Sequence, residues 1–312
     1  MSHHRTKFVG AVCLVLAGLT ALTVLAQQVA DPDFDTTVAK PAYTKKHPKV
    51  SLDEAHNNFH TASGRYKPFA DLITNDGYQV TPGKEKFSKV TLAGIDVLVI
   101  SNALGAPAMG SPQASNSAFT EEECDAVRDW IRAGGNLLLI ADHAPMGAAN
   151  EKLAGRFGVD MSKGYTADPS NYDVESNNEG FIKYDRDNKL LGDHAITRGR
   201  NASEKISKII SFTGQSLKGP AHSVVLMKLA DTAVDIVPTG RGNERKEGSA
   251  AGRAQGLAMN FGKGRVVVLG EAAMLSAQLA GPQKMKFGMN RPGIDNRQFA
   301  LNVMHWLSGL LK

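Results

Sequence analysis

From Val50 to the C-terminus, continuous apolar runs alternate with stretches whose apolar residues recur at helical spacing. "KVSL" at 49–52 opens a short strand and "YQV" at 78–80 a second. Between them, "GRYKPFADLITNDGY" places Tyr66, Phe69, Leu72 and Ile73 on one helix face, with Gly77 as a natural stop. "IDVLVISNAL" at 95–104 and "NLLLIA" at 136–141 each carry a continuous apolar run, as strands buried on both faces of a parallel sheet do. The intervening "FTEEECDAVRDWIRAGG" carries a Thr120/Glu123 capping box, three acids at its positive end, and Cys124, Val127, Trp130 and Ile131 on one face.

"ANEKLAGRFGVDM" predicts a further helix stopped by Gly158. Residues 162–204 are polar and turn-rich, and read as an insertion or lid. "KIISFTG" and "VVLMKLA" read as strands, and "GLAMNFGKGRVVVLG" as a hairpin turning at "FGKG". "AAMLSAQ" at 272–278 reads as a helix start, and the chain closes on a helix with Phe299, Val303, Trp306 and Leu310 on its apolar face. Strands alternating with helices imply a doubly wound α/β domain over 48–312, mainly parallel at its centre, with helices on both faces.

The first 26 residues stand apart. Arg5 and Lys7 precede an uncharged apolar run, and Val24 and Ala26 make a small-residue cleavage site, the order of a secretory signal peptide. An uncleaved anchor helix is the alternative. Polar "QQVADPDFD" follows at once and favours cleavage, so the expected location is periplasmic or secreted, with no stable membrane anchor afterwards. Residues 27–47 read as an extended linker arm. Cleavage removes two bases and no acid, lowering the formal charge from +5 to +3, and leaves Cys124 as the one cysteine. A Cys-based metal site and an internal disulfide are therefore excluded. The bases form no concentrated stripe, which argues against a nucleic-acid partner.

In sheets of this kind ligands bind beyond the carboxyl ends of the strands, where strand order reverses. "SLDEAHNNFH" after the first strand supplies His56, Asn57 and His60. Asn102 follows the third strand, Asp142 and His143 follow "NLLLIA", and Glu271 follows "RVVVLG". Acid and imidazole at several strand ends favour a genuine site over solvated loops. His56, Asp142, His143 and Glu271 are the candidate catalytic groups. Asn57, Asn102, Gln215, Ser216, Asn290 and Asn296 are candidates for gripping a polar substrate. His56, His60 and His143 would ligate a divalent metal such as zinc, if one takes part. Each has a plainer alternative. His56 and His60 could order a loop, Asp142 could cap a helix, and Glu271 could sit at a helix start for its dipole alone. No "GxSxG" elbow, phosphate loop, "GxGxxG" fingerprint or "HExxH" is present, and Cys124 on a buried helix face is expected to be inert.

Taken together, "VSLDEAHNNFHTASGRYKPFADLITNDGYQV", "IDVLVISNAL", "GNLLLIADHAPMG", "GRVVVLGEAAMLSA" and "DNRQFALNVMHWLSG" resemble the class I glutamine amidotransferase-like superfamily. The branch is the one without amidotransferase activity, related to gliding-motility, intraflagellar-transport and trehalose-utilisation-type domains. The resemblance implies a flavodoxin-like sheet. It also implies that the turn after "LLLIA" would carry a nucleophilic cysteine in a true amidotransferase. Here that turn is "ADHAPMG", so glutaminase activity by that route is not expected. Two functions stay open. One is an exported hydrolase cleaving an ester, amide or glycosidic bond, with a metal or a His–Asp pair activating water. The other is a non-catalytic module that binds a small polar molecule, a saccharide or a cell-wall fragment. An envelope scaffold with a decayed site is a third, weaker reading.

Overall fold

A computed structural model describes residues 28–239 and 245–312. The leader read from residues 1–26 lies outside the described residues. Six strands build the part of the fold that carries the site: β1 (Lys49–Asp53), β2 (Gln79–Gly83), β3 (Val97–Ser101), β4 (Asn136–Ile140), β5 (Ala254–Phe261) and β6 (Gly264–Leu269). Their spatial order is β2-β1-β3-β4-β6-β5. The first five are parallel, and β5 joins β6 as an antiparallel hairpin with Phe261 opposite Gly264. Beyond β5, Leu217–Lys218, Asp160–Met161 and Val224–Lys228 complete a mixed, nine-stranded sheet.

Both faces of this sheet are covered, because strand residues alternate between two cores. Val50, Leu52, Val97, Val99, Leu138 and Leu269 face α1 (Lys67–Asn75) and α4 (Asn296–Leu307). Leu98, Ile100, Leu137, Leu139, Val266 and Val268 face α2 (Glu121–Ala133) and α3 (Met146–Gly155). This is why the strands read as unbroken apolar runs. The capping box of α2 forms as the sequence predicts: Thr120 Oγ1 accepts the Glu123 amide and Glu123 Oε2 accepts the Thr120 amide. Cys124 lies buried on the α2 face, where burial raises its thiol to about 11 and keeps it unreactive.

Three stretches differ from the sequence reading. Residues 162–204 are more than a polar loop. Tyr165–Ala167 pairs with Val234–Pro238, and Lys183–Asp185 pairs with Lys208–Ile210. Phe181, Ile182, Tyr184, Leu191 and Ile196 enter the first core. Their apolar residues sit in strands and turns of only three or four residues, too short to show a period. The expected helix at 272–278 is a single 3-10 turn, Ala273–Leu275, followed by a strand, Ala277–Ala280. Glu271 does accept the Ala273 and Met274 amides as a helix cap would, but Ser276 turns extended and ends the helical path. That strand pairs with Met285–Gly288 on one side and with Val29–Ala30 on the other, so the stretch read as an extended arm begins against the body of the fold.

Candidate functional site

Strand order reverses between β1 and β3, and a cavity of about 560 Å³ opens beyond their carboxyl ends. The volume falls in the usual range for small-molecule sites. Loop residues after β1 contribute Phe59 and His60, and β3 hands over to Asn102. Asp142, His143 and Met146 come from the turn between β4 and α3, and Ala273 from the turn after β6. Gln28, Arg65, Met109, Phe212, Gln278 and Phe287 close the remaining walls.

The polar groups are held firmly. Asn102 sits in the left-handed region at φ 51°, which asparagine tolerates better than most residues. Its Oδ1 accepts the Asp142 backbone amide at 2.9 Å, so Nδ2 points elsewhere and has no partner among the described residues. Asp142 Oδ1 accepts the His143 amide at 2.8 Å. His143 Nδ1 donates to the Ala144 carbonyl at 2.9 Å, which fixes the ring so that Nε2 is the nitrogen left without that contact. His60 stacks on Tyr66 with centroids 4.6 Å apart and pairs through Nδ1 with Ser101 Oγ. Burial, with the nearby Arg65 charge, drives its pKa from 6.5 to about 3. Gln278 is fully buried, and neither amide atom has a partner among the described residues.

Behind this wall lie two supporting residues. Gln215 Nε2 donates to the Ala141 and Asp142 carbonyls and pins the end of β4. Glu271 is fully buried. Desolvation and the Asp142 carboxyl raise its pKa well above the ordinary carboxylate value, and burial raises Asp142 as well. The two acids therefore titrate as a linked pair.

Four of the residues expected from sequence thus line the cavity: His60, Asn102, Asp142 and His143. Glu271 and Gln215 stand behind it. The others serve the fold. His56 is buried between Phe87 and Phe119, with Nδ1 2.9 Å from both Asp53 oxygens and Nε2 2.9 Å from Glu123 Oε1. Neither nitrogen is left for substrate or metal, so a catalytic role for His56 does not fit this geometry. Asn57 is exposed and donates to the Leu104 carbonyl. Ser216 donates to Asp235 and accepts from Arg253. Asn290 donates to Asp31 and the Gln278 carbonyl, and Asn296 brackets Ile210 through both of its amide atoms.

A zinc-type centre on His56, His60 and His143 likewise does not fit. Among the described residues no three His, Cys, Asp or Glu side chains converge as a metal site. Sequence reasoning missed Gln28, Arg65 and Gln278. The antiparallel pairing of Val29 with Leu279 brings Gln28 and Gln278 together, and no local signal announces it. Arg65 was legible as a base close behind the polar loop at 51–60.

No family model matches the chain, and no curated protein matches it. Among solved structures it is similar to the mmIFT52 N-terminal domain, with 14% identity and a TM-score of 0.57 over 84% of this chain and 97% of that one. It also aligns with a ThuA-like protein from Bacteroides uniformis, with 12% identity and a TM-score of 0.43 over 89% and 95% of the two chains. A third alignment is with Gan42B, a GH42 β-galactosidase, at 12% identity and a TM-score of 0.39, covering 84% of this chain and 30% of the enzyme. The first carries a relation at the level of the fold, and the other two overlap too loosely to add to it.

Proposed function

We propose that this chain is an exported binding protein for a small saccharide, seated in the cavity beyond β1, β3 and β4. One observation carries the reading. The cavity wall combines the aromatic faces of Phe59, Phe212 and Phe287 with the buried amides of Asn102 and Gln278, three of whose polar atoms have no partner among the described residues. A buried amide atom without a partner costs roughly 1–3 kcal/mol. A pyranose offers hydroxyls that donate and accept, together with an apolar C–H face for an aromatic ring. It matches both kinds of wall at once. The charged, apolar and small-residue order of residues 1–26 supports export.

The strand order β2-β1-β3-β4-β6 supports a flavodoxin-like reading of the fold and kinship with class I glutamine amidotransferase-like domains. Since "ADHAPMG" has no cysteine, His143 and Asp142 occupy the turn where such a nucleophile would stand, and glutaminase chemistry is not proposed.

A specific feature favours hydrolysis as a second reading. His143 lines the cavity with Nδ1 engaged by the Ala144 carbonyl, so Nε2 is the atom that would take a proton from water, while Asp142, its pKa raised by burial, would give one to a leaving group. Calorimetric titration of the purified protein with mono- and disaccharides, alongside release of nitrophenol from nitrophenyl glycosides, separates the two. Binding without turnover supports the binding protein. Turnover abolished by His143→Ala supports the hydrolase. Neither binding nor turnover across the panel overturns both.

A further inference from the structure

Among the described residues, Arg65 is the only lysine or arginine lining the cavity. It is half-buried, and its position is fixed from two sides: the guanidinium lies 4.1 Å over the Phe59 ring, and Nε donates to the Gln28 carbonyl at 3.0 Å. Among the described residues no carboxylate pairs with it, although other arginines in the chain, half-buried Arg156 and exposed Arg198 among them, have acid partners. The fork of Nη1 and Nη2 is therefore left for something else.

We infer that the saccharide bound in this cavity is a sugar acid, whose carboxylate is received by Arg65 while its hydroxyls meet Asn102 and Gln278. The inference rests on the binding reading above and adds the charge of the ligand. A planar guanidinium held by a stacked ring and a backbone carbonyl is pre-organised for a two-point contact with a carboxylate. Burial lowers the Arg65 pKa, as it does for a cation that has lost part of its hydration. An incoming carboxylate replaces it. The other charged side chain on the wall, Asp142, has its carboxyl pushed toward the protonated form by burial, so it opposes a bound anion less than a free carboxylate would. His60, kept neutral by burial and by Arg65 itself, leaves Arg65 as the cation on that side of the wall. A hexuronate, a pyranose with one carboxylate, has this pattern of charge and hydroxyls.

The test is calorimetric titration of the wild-type protein with glucuronate and galacturonate, against glucose, galactose and acetate, at low and high salt. Sugar acids are expected to bind at least tenfold more tightly than their neutral parents and more tightly than acetate, with the preference shrinking as salt rises. Arg65→Gln is expected to remove the preference, and Arg65→Lys to restore part of it. Because the preference is read on the wild-type protein, it stays measurable even where Arg65→Gln fails to fold. Equal binding of acidic and neutral sugars, acetate binding as tightly as the uronates, or a preference that survives Arg65→Gln overturns the inference and leaves the saccharide reading standing. Binding of no sugar at all removes both.

Discussion

Asn102 Oδ1 accepts the backbone amide of Asp142 at 2.9 Å, so the residue that leaves β3 fixes the residue that leaves β4. This single contact joins the two strand ends flanking the cavity. It also decides which atom of the Asn102 amide remains unpaired.

Replacing Asn102 should therefore cost stability in two separable ways. Asn102→Ala leaves the buried Asp142 amide without its acceptor, a loss of about 1–3 kcal/mol. It also forces alanine into the left-handed region at φ 51°. Asn102→Gly loses the same acceptor without that backbone penalty, and should be more stable than the alanine variant by about 1 kcal/mol. Urea denaturation of the three proteins measures both quantities. Equal stability of the alanine and glycine variants would remove the backbone component.

His56 belongs to the fold, and its removal should be felt there first. His56→Ala leaves the buried Asp53 carboxyl group and the Glu123 carboxyl group without the imidazole that bridges them. Leaving buried hydrogen-bonding groups short of a partner costs about 1–3 kcal/mol. Guanidinium denaturation should show a loss of that size. A change below about 1 kcal/mol would mean that the two acids find other partners, and that His56 is free for chemistry after all.

His60 gives the molecule an acid-side weakness. Its folded pKa, about 3, lies below the ordinary value of 6.5, so between these values the unfolded chain binds a proton that the folded chain does not. Stability therefore rises with pH across that window, and is lost as pH falls from about 6.5 toward 3. His60→Gln removes this proton uptake and should flatten that part of the stability–pH curve, measured by thermal melting at half-unit intervals. Parallel curves for the two proteins would contradict the buried, neutral assignment of His60.

The strand ends were legible because the central strands are apolar on both faces, which made their polar successors conspicuous. Asn102, Asp142 and His143 reach the cavity for that reason. The ten-residue loop after β1 could not be resolved the same way. His56 and His60 stand four residues apart in it, yet one points into a core beside Phe87 and Phe119 while the other stacks on Tyr66 at the cavity. What separates them is Glu123, 67 residues away, whose carboxylate is tied to a helix cap and to His56 at once. Long-range partners of this kind leave no trace in local spacing. Asn290 and Asn296 were misplaced for a related reason: each satisfies backbone groups of a distant segment, a structural use of asparagine that looks the same in sequence as a binding one.

The central claim is that ligand enters the cavity beyond β1, β3 and β4. Methyl-labelled methionine gives a direct view, because Met109 and Met146 line the cavity while Met259, opposite Val266 near the start of β6, reports on the far end of the sheet. In a ¹³C-methyl NMR titration with neutral and acidic monosaccharides, the Met109 and Met146 signals should shift in a saturable way and the Met259 signal should stay fixed. Saturable shifts confined to Met259, or no shift for any sugar at millimolar concentration, would contradict the account.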